Sequence, residues 1–273
     1  MAKGYIAAAI TKARELINLL PVNNMASTPC MEFDAPTAAA GKDLQSAVNG
    51  IADAGSVVEL YADYAGAAYT ALATVEGFTV AFAATNKTQD KLTETDCAKL
   101  ARFVRTCDAF SIPVVTLVDT LGFEGNSDTE LTGAVKAMTR LAGVYAEATT
   151  PKVAVITGKA VGPVFVAMAG KYSNADFTFA VEDAYIAPLA PEAAVEFLWH
   201  DKLAGADNLT AKRTELAKEY TDTLASALSA AQMGCVDEIV AAADLRSVVA
   251  GALAMVADKR VTNLPRKHNN LPF

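Results

Sequence analysis

Apolar residues recur at helical spacing from Ala2 to Leu20 (Ile6, Ile10, Ala13, Ile17, Leu20), and Pro21 closes the run. A loop of small residues follows, "MASTPCMEFDAPTAAAG", and "KDLQSAVNGIADAG" reads as a second helix stopped at Gly55. Three β-prone runs come next, "SVVELYADY", "AAYTALATVEG" and "FTVAFAATN", with Glu76-Gly77 as a hairpin turn between the last two. A helix is predicted over "LTETDCAKLARFVRTCDAFS", opened by the Thr-x-x-Asp pattern at Thr93. Beyond it the pattern alternates. "IPVVTLVDT" and "PKVAVITG" read as buried strands, "SDTELTGAVKAMTRLAGVYAEATT" as the helix between them, and "PVFVAMAGKY" as a short helix after the second. "ADFTFAV" and "AYIAP" read as strands and "PEAAVEFLWH" as a helix. From Asp201 onward the chain reads almost wholly helical, with "AKRTELAKEYTDTLASALSAAQMG" and "LRSVVAGALAMVADKR" as long elements. The expected fold class is α/β. Residues 1–273 are read as a single domain, with residues 1–40 an N-terminal helix and loop and residues 201–273 a mostly helical C-terminal extension.

Composition narrows the partners. The chain has 273 residues, is 52% hydrophobic and only 20% charged, enough to bury a large core. Its 23 basic and 31 acidic residues give a net charge of -8, which disfavours nucleic acid and anionic membrane surfaces. Cys30, Cys97, Cys107 and Cys235 form no C-x-x-C pair, so reduced, mostly buried thiols are expected, with no metal site. Lys12, Arg14 and Glu15 interrupt the first apolar stretch too early for a signal peptide, and no run approaches the ~20 residues of a membrane span. A cytoplasmic protein without membrane insertion is the expectation.

Side-chain catalysis finds few candidates. The two histidines, His200 and His268, stand alone and read as structural. No G-x-S-x-G, Walker A or G-x-G-x-x-G pattern is present. Asp119, at the end of a strand, reads as a turn or helix cap. Two stretches instead have the order strand, glycine-bearing turn, helix: "VVTLVDTLGFEG" and "VAVITGKAVGPVFVAM". At such a turn the first amides of a helix and its dipole converge, which suits an oxyanion. Plain crossovers with glycine at tight turns explain the same spacing.

Five segments, "ARELINLLPVNN", "LARFVRTCDAFSIPVVTLVDTLGF", "VYAEATTPKVAVITGKAVGPVFVAM", "AAQMGCVDEIV" and the closing "LPRKHNNLPF", resemble the C-terminal, biotin-side half of the carboxyltransferase subunits of biotin-dependent acyl-CoA carboxylases and decarboxylases, in the style of the propionyl-CoA carboxylase β chain. The resemblance runs in order along nearly the whole chain. It implies a crotonase-like fold, a superhelix of ββα units, here with helical N- and C-terminal extensions. It also implies a chemistry without titrating side chains. Carboxybiotin releases CO2, backbone amides hold the biotin enolate, and the biotin takes the α-proton of an acyl-CoA, or the steps run backwards in a decarboxylase. In the family an N-type half mainly holds CoA and a C-type half receives biotin from its carrier protein. The chain resembles only the C-type half, so the resemblance implies a separate N-type subunit, a biotin carboxyl carrier protein and a homo-oligomer as partners.

Carried over position by position, Gly162 and Val164 become the catalytic backbone turn. Gly122, Phe123, Lys159, Ala160, Val161, Phe165 and Val166 become residues that border biotin or the acyl-CoA. The family usually reads Gly-Gly-Ala at the turn, whereas this chain has Gly162-Pro163-Val164, with Val161 where an aromatic is usual. Proline suits the first position of a helix but removes an amide donor. Leu121 stands for a usual proline, Lys136 and Met138 for a usual arginine and glycine, and Val166 where an aspartate is frequent. A C-type carboxyltransferase subunit, inactive alone, is therefore expected. A structural or regulatory subunit with a degenerate turn is the alternative. A stand-alone hydratase or thioesterase is disfavoured because Glu124 and Glu130 flank only the first turn.

Overall fold

The computed structural model describes residues 2–204 and 208–261. In chain order the elements begin with α1 (Ala2–Leu19) and α2 (Leu44–Ile51), the latter capped by the Asp43 carboxylate accepting the Ser46 N–H. Strands β1 (Val58–Glu59), β2 (Tyr69–Val75) and β3 (Phe78–Ala84) follow, then β4 (Lys91–Leu92) and α3 (Glu94–Ala109). Next come β5 (Val114–Thr120), β6 (Gly122–Phe123), α4 (Ser127–Thr132), α5 (Ala134–Glu147), β7 (Lys152–Val161) and α6 (Pro163–Met168). The remainder is β8 (Phe177–Val181), β9 (Tyr185–Ala187), α7 (Pro191–Leu198), α8 (His200–Leu203), α9 (Leu209–Thr223), α10 (Ala227–Gln232), β10 (Glu238–Val240) and α11 (Leu245–Met255). Among the described residues no helix is long and apolar enough to cross a membrane.

The strands form one sheet in the order β1-β2-β3-β5-β7-β8-β10, with β9 also on β7 and a separate parallel pair of β4 with β6. The first three strands are antiparallel and the rest parallel. β2 is buried along its whole length and β5 nearly so, because helices and chain cover both faces; this is why these runs read as continuous rather than alternating apolar stretches. The Glu76-Gly77 hairpin forms as read, with positive φ at both residues. The Thr93 start of α3 is a reciprocal capping box with Asp96.

The described part of the C-terminal extension is mostly helical, with β10 added as an edge strand parallel to β8. Two readings are corrected. The long helix expected after residue 210 is two, α9 and α10, with Ser226 capping the second. The helix expected over residues 127–150 breaks at Gly133 into α4 and α5. The tail Lys267–Pro272 and His268 lie outside the described residues.

Buried polar side chains tie loops to the core. The Asp96 carboxylate accepts the Ala67 and Ala68 amides, each at 2.9 Å, and Lys99 Nζ donates to the Tyr61, Tyr64 and Ala68 carbonyls at 2.7–2.9 Å. Asp53 accepts the Gly77 amide and an Arg246 N–H, joining α11 to the β2–β3 hairpin. The thiols of Cys97 and Cys107 are pushed up to about 12 by burial and then by the neighbouring Asp96 and Asp108 carboxylates, so both stay protonated; Cys30 is exposed.

Lys152 is the most consequential of these groups for pH. The residue is 2% exposed, and Nζ donates to carbonyls at the C-terminal end of α5, Tyr145 O at 2.5 Å and, at the cap just beyond it, Ala148 O at 2.9 Å. Burial, and then Lys259, push its amine down from 10.5 to about 8, against the pull of Asp176 and Asp108. Between those two values the unfolded chain binds more protons than the folded one, so this group makes stability rise with pH across that window, and its full penalty is felt below pH 8. Urea titrations from pH 7.5 to 10 are expected to show wild type gaining on Lys152→Met as pH rises. A constant difference between the two would contradict this.

Candidate functional site

The two glycine turns lie side by side at the ends of β5 and β7. What brings them together is a change of register between these strands: Val118 faces Ile156, but Thr120 faces Ala160, so Asp119 stands opposite Thr157, Gly158 and Lys159. Below the bulge β7 pairs with β8, and above it Lys159, Ala160 and Val161 pair with β9. β7 thus runs past Gly158, where the sequence suggested that the strand would end. Asp119 is not the local cap it seemed: one carboxylate oxygen accepts the Lys159 N–H at 2.9 Å, 40 positions away, and the other accepts Asn86 Nδ2 at 2.8 Å.

At the first turn the amides are engaged. Leu121 N–H donates to Asp90 O at 2.8 Å, Gly122 N–H to Thr120 Oγ1 at 3.2 Å and Glu124 N–H to Leu92 O at 2.8 Å. Gly122 is buried with φ 109°, and a Cβ there would sit 3.2 Å from Val161 O, a measure of how closely the turns abut. Phe123 is half-buried against the main core.

The second turn differs. Gly162 (φ 67°, ψ −142°) is the N-cap of α6, a conformation that excludes side chains with a Cβ. Its own N–H donates to Ala187 O at 2.8 Å, so Gly162 contributes shape and not a donor. Pro163 occupies the first helical position, as the sequence suggested, and is exposed. Val164 N–H is the first amide of the helix, without an intrahelical acceptor.

The other residues singled out divide in two. Lys159 and Val166 are exposed beside the turn, Val166 at 52%. Ala160 and Val164 are wholly buried and Phe165 nearly so, all three within the main core. Val161 joins Tyr185, Ala187, Ala194, Tyr220 and Ala225 in a second apolar cluster, backed by Leu121, Leu189 and Trp199. Tyr185 Oη donates to Leu189 O at 2.7 Å. Burial, then Tyr220 and Glu192, raise its phenol well above the ordinary range, so it is a neutral donor and not a base. His200 lies exposed at the start of α8. The residue that sequence reasoning undervalued is Asp119, which bonds across two strands and whose signal in the sequence was its place directly before Thr120-Leu121-Gly122.

An open groove of about 990 Å³ lies elsewhere, between α1, residues 30–34 and residues 53–58; Lys12, Cys30, Phe33 and Val58 are among its lining, and neither turn reaches it.

A mixed sheet whose central strand bends across two partners is the crotonase-like architecture of carboxyltransferases. The carboxyl transferase domain family matches residues 7–271, and the chain belongs to that family. It is 33% identical over 282 residues to the propionyl-CoA carboxylase carboxyltransferase subunit of Haloferax mediterranei, covering 97% of this chain and 54% of that one. It is 32% identical over 284 residues to the methylmalonyl-CoA decarboxylase subunit alpha of Propionigenium modestum, again 97% and 54%. The transcarboxylase 12S crystal structure, a hexamer with methylmalonyl-coenzyme A and methylmalonic acid bound, superposes with a TM-score of 0.90 at 31% identity, over 96% of this chain and 54% of that one. The chain spans about half the length of the curated relatives it matches.

The shape of the second turn is directly testable. Gly162→Ala is expected to lose about 1–3 kcal/mol of stability, because alanine must enter a glycine-only conformation. Gly125 has no positive φ, and a Cβ added there would meet nothing within 4 Å, so Gly125→Ala is expected to stay within about 1 kcal/mol of wild type. Equal losses in denaturant titrations would contradict the assignment of strain to Gly162.

Proposed function

We propose that the chain is the C-type, biotin-side subunit of a biotin-dependent acyl-CoA carboxyltransferase or decarboxylase, one carboxyltransferase C-terminal-type unit working with an N-type, CoA-holding subunit and a biotin carboxyl carrier protein. The observation that carries the reading is the Gly162-Pro163-Val164 turn. The helix start carries no side-chain cap and is exposed at Pro163, with Val164 buried behind it, next to a first turn whose own amides are engaged. Carrier-borne biotin would supply the carboxyl group and the proton acceptor. The chain's part is to turn the positive end of α6 toward the ureido oxygen where negative charge gathers, with Val164 N–H, buried behind Pro163, uncovered as biotin seats. Gly162 keeps that approach clear, since even a Cβ there would meet nothing nearer than Pro188 O at 3.5 Å. Lys159 and Val166 border the approach from the exposed side, and Gly122, Phe123 and Val161 form its floor; Ala160 and Phe165 hold the floor from beneath.

Apolar side chains around this side support association with further chains. Phe197, at 77% exposure, and Leu198 lie on α7, which joins the cluster of Val161 and Ala225 through Ala194, while Leu224 and Leu228 flank the start of α10. A homo-oligomer that also accepts the N-type subunit fits this distribution.

The test is reconstitution. The 273-residue chain with free biotin and malonyl-CoA or methylmalonyl-CoA is expected to show no carboxyl transfer, and transfer is expected on adding an N-type subunit. Turnover by the chain alone would overturn the half-site reading. In the reconstituted complex, Pro163→Gly supplies a second amide at the turn. One such donor is worth ~10²–10³ in rate in an organised site, so the rate is expected to rise. Stability is expected to fall by about 0.4–1 kcal/mol as the chain loses proline's restraint. A fast wild-type complex slowed by the same change would mean that the turn works through a different donor. No transfer from either protein in any combination would favour the structural-subunit alternative.

A further inference from the structure

The bulge in β7 leaves the Lys159 amide without a strand partner, and Asp119 fills that vacancy. Its Oδ1 accepts the amide at 2.9 Å, and its Oδ2 is held by Asn86 Nδ2 at 2.8 Å, a residue in the left-handed region with φ 60°. Its backbone is fixed as well, with the Asp119 N–H donating to Thr85 Oγ1 at 2.9 Å and the same hydroxyl donating back to Asp119 O at 3.1 Å. Gly158 makes room: a Cβ there would fall 2.4 Å from Asp119 Oδ1 and 2.5 Å from its Cγ. One residue therefore joins the ends of three strands, β3, β5 and β7. It lies two positions before Leu121 in the first turn and, through Lys159, three before Gly162 in the second.

We propose that Asp119 is the positioning residue for the pair of turns: seated on Gly158, it sets the β7 bulge and so fixes where the Gly162–Val164 turn stands relative to Gly122. Its consequence for catalysis rests on the reading under Proposed function; its structural part does not. The carboxylate touches no reacting group and acts through the Lys159 amide. Displacing the second turn by about 1 Å is enough to cost on the order of 10²-fold in rate at a site that depends on aligned donors.

Two measurements separate the parts. Amide hydrogen exchange, read at residues 157–164 with residues 114–118 of β5 as the internal reference, reports the clamp without any reaction. Asp119→Ala and Gly158→Ala are each expected to raise exchange at Lys159 roughly tenfold or more with the reference unchanged, because both deny that amide its acceptor. Asp119→Asn keeps a carbonyl oxygen for Lys159 and is expected to stay near wild type. The double variant Asp119→Ala/Gly158→Ala is expected to be no worse than either single one, since both remove the same contact. In the complex with an N-type subunit, the two alanine variants are expected to lose about 10²-fold in kcat with KM for the acyl-CoA retained, and Asp119→Asn to restore most of it. Unchanged exchange in Asp119→Ala, multiplying effects in the double variant, or raised exchange with normal kcat would each overturn the proposal. A wild-type complex without transfer would instead remove the functional reading, and the exchange results would still decide the clamp.

Discussion

Strand β7 has to pair with β8 along its first half and with β9 along its second, and the shift in its register against β5 is the constraint on which the rest of the molecule depends. A regular parallel ladder would carry β7 straight on beside β8. The extra residues opposite Asp119 bend it away, and the bend carries Val161 into the second apolar cluster with Tyr185 and Tyr220. The α7–α9 hairpin packs on that cluster through Ala194 and Trp199, and Trp199 meets the Tyr220 ring edge-on. The main core holds the sheet; this smaller one holds the turn.

The bend leaves few backbone donors at the turn. Ala187 takes the Gly162 amide, because β9 must be closed onto β7, and Pro163 has none to give. Fold and chemistry therefore compete for the same groups. The fold is satisfied first: proline fits the helix start, and the Ala187 bond seals the edge of the pairing. What remains of the first helical amides is that of Val164, buried behind Pro163 at the positive end of the α6 dipole.

Local chemistry is legible in the sequence and long-range register is not. The Thr93–Asp96 box, the Glu76-Gly77 hairpin and Pro163 at the first position of α6 each depend on neighbours within four residues, and each stands in the structure as the sequence suggests. β10 is three residues long and becomes a strand only because β8 offers an open edge, a fact that no local pattern records. The bonds from Lys159 to Asp119 and from Gly162 to Ala187 join positions 40 and 25 apart, so an aspartate that looked like a cap and a glycine that looked like part of a donor set changed roles once the strands were aligned. The composition of the turn is visible in the sequence; its hydrogen-bond economy is a property of the sheet.

Reception of biotin at the Gly162–Val164 turn remains the proposal on which the reading of this site turns. It is tested most directly by titrating the ¹⁵N-labelled 273-residue chain, alone and with an N-type subunit, with biotin methyl ester and following amide resonances. Val164 is expected to move most, together with Lys159 and Val166 at the rim of the turn. Shifts centred on Lys12, Cys30, Phe33 and Val58, in the groove beside α1, with Val164 unmoved, would contradict it.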